Sequence, residues 1–143
     1  MTAVAPAKPV PVPDTASAPF FAGALRGELI LLRCSACRTF QSPTAYIGVP
    51  VRPRCVACFA AALEWAPSSG RAKLYSYVLM HKVYDAAFAA DVPYNIAVVE
   101  TDEGVRLTSQ VVESGALEIG MALEVTFERV SDEVAIPKFR PWR

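Results

Sequence analysis

Two matched cysteine pairs, Cys34-Ser35-Ala36-Cys37 and Cys55-Val56-Ala57-Cys58, constrain this chain more than any other feature. They hold all four of its cysteines, so no thiol is left over. A Cys-x-x-Cys turn sets two thiolates on one knuckle, and two knuckles complete a tetrahedron around a soft divalent metal. The 17 residues between Cys37 and Cys55 suit the spacing of a zinc ribbon. Two disulfides are the competing reading. Four protein ligands leave no open position, so zinc held by Cys34, Cys37, Cys55 and Cys58 is expected to be structural. Iron could occupy the same thiolates, but nothing else in the chain points to electron transfer.

The 143 residues are enough for one ordinary domain or two small ones, and 53% hydrophobic content is ample for a core. No apolar run approaches the roughly 20 residues of a membrane span. The first 19 residues carry five prolines and no continuous apolar stretch. That composition predicts a disordered, proline-rich tail over 1–18 rather than a secretory leader. A reducing, cytoplasmic setting follows as an expectation, and it favours metal over disulfides.

Net charge is zero but unevenly spread. Residues 1–82 hold nine Lys or Arg against three acids, and residues 83–143 hold five against eleven. Metal with four thiolates carries a formal −2, which trims the basic half to about +4. That suits a few phosphates or an acidic partner and falls short of a nucleic-acid footprint.

Phe21, Leu25 and Glu28 fall at helical spacing with Phe20 beside them, which predicts a short helix ending near Gly27 and weakened by Gly23. It serves either as core packing or as an arm that docks elsewhere. Residues 29–33 read as a strand entering the first knuckle. Residues 41–54 read as an irregular loop, and 61–67 lead out with Trp65 as a hydrophobic lid. From Arg71 the pattern is β throughout, with strands over 71–84, 94–100, 105–112, 123–130 and 134–139. Asp102-Glu103-Gly104 is a hairpin turn, and Leu123, Val125 and Phe127 alternate inward against Glu124, Thr126 and Glu128. Residues 113–120 leave little room for a helix. Five strands led by one long one predict a small Greek-key barrel of the OB type, with a five-strand sandwich as the alternative. The fold class is therefore mainly β: an N-terminal helix and zinc ribbon over 19–67, then a barrel over 68–143.

No active site is legible. His81 is the single histidine, and no nucleophile-elbow motif accompanies it. No glycine-rich phosphate loop appears. Tyr75, Tyr77, Tyr84, Phe88 and Tyr94 cluster around the first barrel strand, either as core and barrel mouth or as a stacking surface. Single-stranded nucleic acid could stack there, but the acidic second half argues against it. Arg52, Arg54, Arg71 and Lys73 bracket the ribbon–barrel junction and are candidates for contacting a phosphate group or an acidic partner surface. Solvated basic surface is the plain alternative. Phe20, Phe21, Leu25, Tyr84 and Phe88 are candidates for an exposed apolar face that a partner covers.

Taken in order, these pieces resemble a known family. The residues that carry the resemblance are 20–29 (Phe20 to Leu29), both cysteine pairs, 69–77 (Ser69 to Tyr77), Val92-Pro93-Tyr94 and 137–141 (Pro137 to Pro141). They are similar to bacterial and archaeal proteins that join a rubredoxin-like zinc ribbon to an OB-fold, first classed as a domain of unknown function. The similarity covers roughly residues 19–142. It implies a non-catalytic accessory subunit beside a thiolase-superfamily enzyme that handles acyl-CoA: a thiolase, a thiolase-like aldolase of steroid side-chain breakdown, or an acyltransferase. A nucleic-acid-binding OB module and an independent acyl-CoA-binding protein are the alternatives. Two departures stand out. The glycine that commonly follows each Cys-x-x-Cys is Arg38 after the first pair and Phe59 after the second, and the loop between the pairs is longer than usual. Glycine there relieves strain in the knuckle, so these positions bear on loop geometry more than on metal binding.

Overall fold

A computed structural model of the chain describes residues 6–43 and 54–143. Among the described residues one helix, α1 (Ala18–Leu25), precedes eight strands: β1 (Ile30–Cys34), β2 (Phe40–Gln41), β3 (Leu63–Pro67), β4 (Arg71–Met80), β5 (Tyr94–Thr101), β6 (Arg106–Ser109), β7 (Ala122–Arg129) and β8 (Ala135–Pro141). A short 3-10 turn, Ala86–Phe88, lies between β4 and β5.

The strands form two antiparallel sheets, β2-β1-β3 and β6-β5-β4-β7-β8. In the first, β1 is central, with Leu31 opposite Ala66 and Cys34 opposite Leu63. The stretch expected only to lead out of the ribbon is thus a full strand paired along β1. The second sheet curls into the OB-type half-barrel expected from the sequence. Its far edges meet where the Val112 amide donates to Phe139 O at 2.7 Å and the Phe139 amide donates to Gln110 O at 3.0 Å. Asn95 steadies this closure: its side chain donates to Val111 O and accepts from the Val111 amide, both at 2.8 Å. The segment from Val112 to Met121 contains no helix, in keeping with its length.

One apolar core runs through both sheets. Leu74, Ala97, Val99, Leu123 and Phe139 fill the barrel, and Leu29, just before β1, and Leu31 within it join the same cluster. The helix connects them, packing against β1, β7 and β8.

Several expectations need correction. The buried face of α1 is Phe20, Gly23 and Ala24, so the Phe21 and Leu25 spacing that signals the helix lies to one side of its packed face. Gly23 lets the helix lie directly on Ile30, where a side chain would collide, and Phe20 on the same face is buried in the core. At 8% exposure, Phe20 is unavailable for the outward apolar face suggested for it. Strand β4 stops at Met80 because its partner β5 begins opposite it, at Tyr94; the apolar Val83 and Tyr84 continue the pattern without a strand to pair with. The tail between residues 6 and 14 has no helix or strand, but it is tied down. Lys8 forms an ion pair of 2.5 Å with Asp91 and sits over the Phe88 ring. Asp14 and the buried Ser17 close a turn through mutual hydrogen bonds of 2.7–2.9 Å just before α1.

Candidate functional site

The two cysteine knuckles are near copies of each other. In the first, the Arg38 amide donates to Cys34 O at 2.8 Å and the Cys34 amide to Thr39 O at 2.9 Å; in the second, Phe59 donates to Cys55 O and Cys55 to Ala60 O, both at 3.0 Å. This double bond pattern closes each turn only if the residue after the second cysteine takes a left-handed backbone. Arg38 (φ 68°) and Phe59 (φ 62°) do so. For residues with a Cβ that conformation costs about 1–2 kcal/mol each, so the knuckles keep the glycine geometry without glycine.

The four sulfurs converge. Cys34 and Cys58 Sγ are 3.7 Å apart, Cys37 and Cys55 Sγ are 3.5 Å apart, and all four lie within 4.8 Å of one another. A tetrahedral ion with metal–sulfur bonds near 2.3 Å would need sulfurs about 3.8 Å apart. The donor set therefore fits a thiophilic metal ion. Cys34 and Cys55 are buried, whereas Cys37 and Cys58 reach the surface.

The electrostatics point the same way. Hydrogen bonding with the Thr39 side chain, then with the Thr39 backbone and Cys55, lowers the Cys37 thiol to about 6. At Cys58 a backbone hydrogen bond at Ala60 works downward, but lost hydration and the other three sulfurs push the thiol up to about 12. Four neighbouring thiols without a metal cannot all ionise, because like charges oppose one another. A divalent cation removes that conflict and displaces the remaining protons.

One supporting residue gave no signal in the sequence. Gln41 of β2 is 5% exposed and clamps the second knuckle to the first half of the ribbon. Its Oε1 accepts from the Val56 amide at 2.9 Å, and its Nε2 donates to Arg54 O at 3.2 Å. The first knuckle is tied to the exit of the second, since the Ser35 amide and hydroxyl both donate to Ala62 O.

The remaining candidates are dispersed. Arg52 lies outside the described residues. Arg54 donates to Phe59 O at 3.1 Å within the second knuckle. Arg71 and Lys73 share the outer face of β4, as the buried Ala72 and Leu74 alternate with them, and the Arg71 guanidinium stacks 4.2 Å from the Trp142 ring centre. Leu25 and Tyr84 are exposed. Phe21 is half-buried against the core. Phe88 is half-buried and tilted against Tyr94 at 6.3 Å, beside a groove of about 720 Å³ lined also by Val10, Ile96, Ile136 and Lys138. Among the five clustered aromatics, Tyr75 is covered by the Arg106 guanidinium at 3.8 Å and Tyr77 packs against the core, so no continuous stacking row results. His81 is exposed just beyond β4. No helix among the described residues is long and apolar enough to cross a membrane.

Comparison with known proteins places this arrangement. The family described as "ChsH2, C-terminal OB-fold domain" matches residues 65–128. A DUF35 domain-containing scaffold protein of Methanocaldococcus jannaschii is 34% identical over 107 residues, covering 73% of this chain and 71% of that protein. A probable enoyl-CoA hydratase alpha subunit of Thermomonospora curvata is 30% identical over 136 residues, which span 94% of this chain but only 40% of that protein. Among solved structures, a chain of the Ltp2-ChsH2(DUF35) aldolase superimposes with a TM-score of 0.74 and 30% identity, covering 92% of this chain and 98% of that one. A DUF35 protein of Sulfolobus solfataricus shares the fold at a TM-score of 0.57 and 18% identity. Ribbon, barrel and relatives agree, and the chain belongs to the DUF35 family.

Proposed function

We propose that this chain is a non-catalytic accessory subunit that binds and stabilises a thiolase-like enzyme and helps to enclose its CoA-linked substrate. The observation that carries this reading is the match across almost the whole of a chain from the Ltp2-ChsH2(DUF35) aldolase. Among the described residues no hydrogen-bonded nucleophile–base pair involves the exposed His81, which supports it, as does the convergence of all four thiols into one cluster that suits a metal ion. In this reading zinc on Cys34, Cys37, Cys55 and Cys58 is structural and holds the ribbon (19–67) beside the barrel (68–143). The free thiols suit the reducing cytoplasm. Arg71 and Lys73 on β4, with Arg54 and Arg52 of the ribbon, supply positive charge toward a CoA phosphate or an acidic partner surface. Leu25, Phe21, Tyr84 and Phe88 contribute apolar contact area. The hydratase relative favours a neighbouring reading, in which the acyl-CoA partner is a hydratase; the chain spans 40% of that protein, so its activity belongs to the larger whole.

Co-expression with the thiolase-like subunit of the same host tests the reading. A stable co-purifying complex, with turnover by the complex and none by this chain alone, is expected. A soluble chain that ignores that subunit, or one that turns over acyl-CoA by itself, refutes it.

A further inference from the structure

The N-terminal tail is held at two points with a stiff arm between them. One end is fixed where Asp14 and the buried Ser17 close their turn at the start of α1. At the other, Lys8 pairs with Asp91 at 2.5 Å and lies 5.4 Å from the Phe88 ring centre. Both partners belong to the segment between β4 and β5. The arm reads Lys8-Pro9-Val10-Pro11-Val12-Pro13. Each proline fixes its own φ near about −65°, and each residue before a proline is held extended. From Lys8 to Asp14 such an arm reaches about 19 Å, at a polyproline rise of roughly 3.1 Å per residue. It loses little conformational freedom when it lies down on a surface. Beneath it the barrel offers a trough. One groove of about 720 Å³ is walled by Pro9, Val10, Phe88, Ile96 and Ile136; another of about 680 Å³ runs toward Tyr77, Leu79 and Leu117. Tyr94, Asn95, Gln110 and Lys138 line both grooves, and Lys8 stands at the divide between them. Residues 6–10 stay exposed, and among the described residues no backbone hydrogen bond ties 8–13 to the barrel. The arm is therefore held by Lys8 rather than by burial. Lys8 is the one charged residue before Asp14, and Asp91, then Glu128 of β7, favour its ammonium form.

We propose that residues 6–13 are a strap laid across the chain's own barrel trough, hinged at the Asp14–Ser17 turn and latched by Lys8 on Asp91 and Phe88. The trough is a recognition site for an extended, proline-rich segment with one basic side chain, and the tail occupies it in cis. Proline-rich segments are received by grooves that present aromatic rings, which Phe88 and Tyr94 supply here. Latched, the strap keeps the two grooves apart; released, it joins them. An exposed ion pair and a single cation–ring contact contribute little, so the latch is weak and opens with salt. The assignment does not depend on the accessory-subunit reading.

Nuclear magnetic resonance on the full-length, zinc-loaded chain tests this. Amide relaxation at Lys8, Val10 and Val12 reads the strap, and the side-chain signals of Asn95 and Ile96 read the trough. The parent is compared with Lys8→Glu, with Lys8→Arg and with the exchanged pair Lys8→Glu, Asp91→Lys. In the parent the three amides should be ordered, and in Lys8→Glu they should relax like a free chain end, with shifted trough signals and an unchanged melting temperature. Lys8→Arg and the exchanged pair should restore the order. Salt raised from about 10 mM to 1 M, which shortens the screening length from about 30 to 3 Å, should loosen the parent strap. A synthetic peptide of residues 6–14, added in trans, should move the same trough signals in Lys8→Glu. It should bind the parent about five-fold more weakly, because the parent's own strap must first open. Parent amides that already relax like a chain end overturn the proposal, as does a Lys8→Glu strap that stays ordered. A peptide that binds both chains equally, or neither, also overturns it. Strap order that is lost on dilution overturns the cis assignment, since a second copy then supplies the strap.

Discussion

Replacing Gly23 with alanine sets two effects of opposite sign against each other. In a solvated helix alanine is favoured over glycine by about 1 kcal/mol. Here the glycine is buried, and an added Cβ would fall onto Ile30 Cγ1 while standing 3.0 Å from Glu28 O and 3.2 Å from Ile30 Cβ. None of these atoms retreats easily. Ile30 is β-branched and stiff about χ1. The Glu28 amide donates to Gly23 O at 2.9 Å, which pins the chain reversal against the helix. Overpacking of this kind costs about 1–3 kcal/mol and sometimes more, and the upper end applies because backbone and Cβ atoms are involved. The clash should win, leaving Gly23→Ala less stable by about 1–2 kcal/mol and lowering the melting temperature by roughly 3–8 °C for a domain of this size. Circular dichroism melts at fixed protein and zinc concentration measure it, because bound metal shifts apparent stability. Ile30→Ala supplies the internal control: alone it costs about 2–5 kcal/mol, but it removes Cγ1, so the double variant should be more stable than the two losses combined by about 1 kcal/mol. A Gly23→Ala chain that melts higher than the parent would refute the reasoning, because helix propensity would then outweigh a contact that does not form.

Three further outcomes are expected. The purified chain should carry about one zinc, and Cys55→Ser should lose it together with the ribbon fold, since an open three-thiolate site binds more weakly; elemental analysis beside far-UV spectra checks both. Zinc uptake by the metal-free chain near pH 7.5 should release at least one proton, because the Cys58 thiol stays protonated up to about 12 without metal whereas coordination needs the thiolate. Acidification should therefore weaken zinc binding, and a pH-indicator titration that records no proton release contradicts this. Asn95→Ala should cost about 2–3 kcal/mol, through two lost hydrogen bonds and the Val111 backbone groups they leave unpaired, and amide exchange should accelerate at 110–112, where the barrel closes.

What could be read from the sequence follows how local each determinant is. The four-cysteine cluster was legible because a Cys-x-x-Cys turn encodes its geometry within four residues. The barrel strands were legible because alternation such as Leu123-Glu124-Val125 repeats every second residue. The helix face was not, since Phe20 and Phe21 are adjacent and an eight-residue helix gives too few turns for periodicity to choose between them. The choice was made by Gly23 against Ile30, a contact between residues on different elements. The end of β4 was misplaced for a similar reason: Val83 and Tyr84 look like strand, but a strand ends where its partner ends, and β5 begins opposite Met80. Gln41 was invisible because one buried amide leaves no pattern. Arg38 and Phe59 stand between these cases. The missing glycines were plain in the chain, but sequence could not say whether the knuckles would deform or the residues would strain. The structure answers that the residues strain. Local propensity and global fold disagree at these two positions, and the paired hydrogen bonds that close each knuckle decide in favour of the fold.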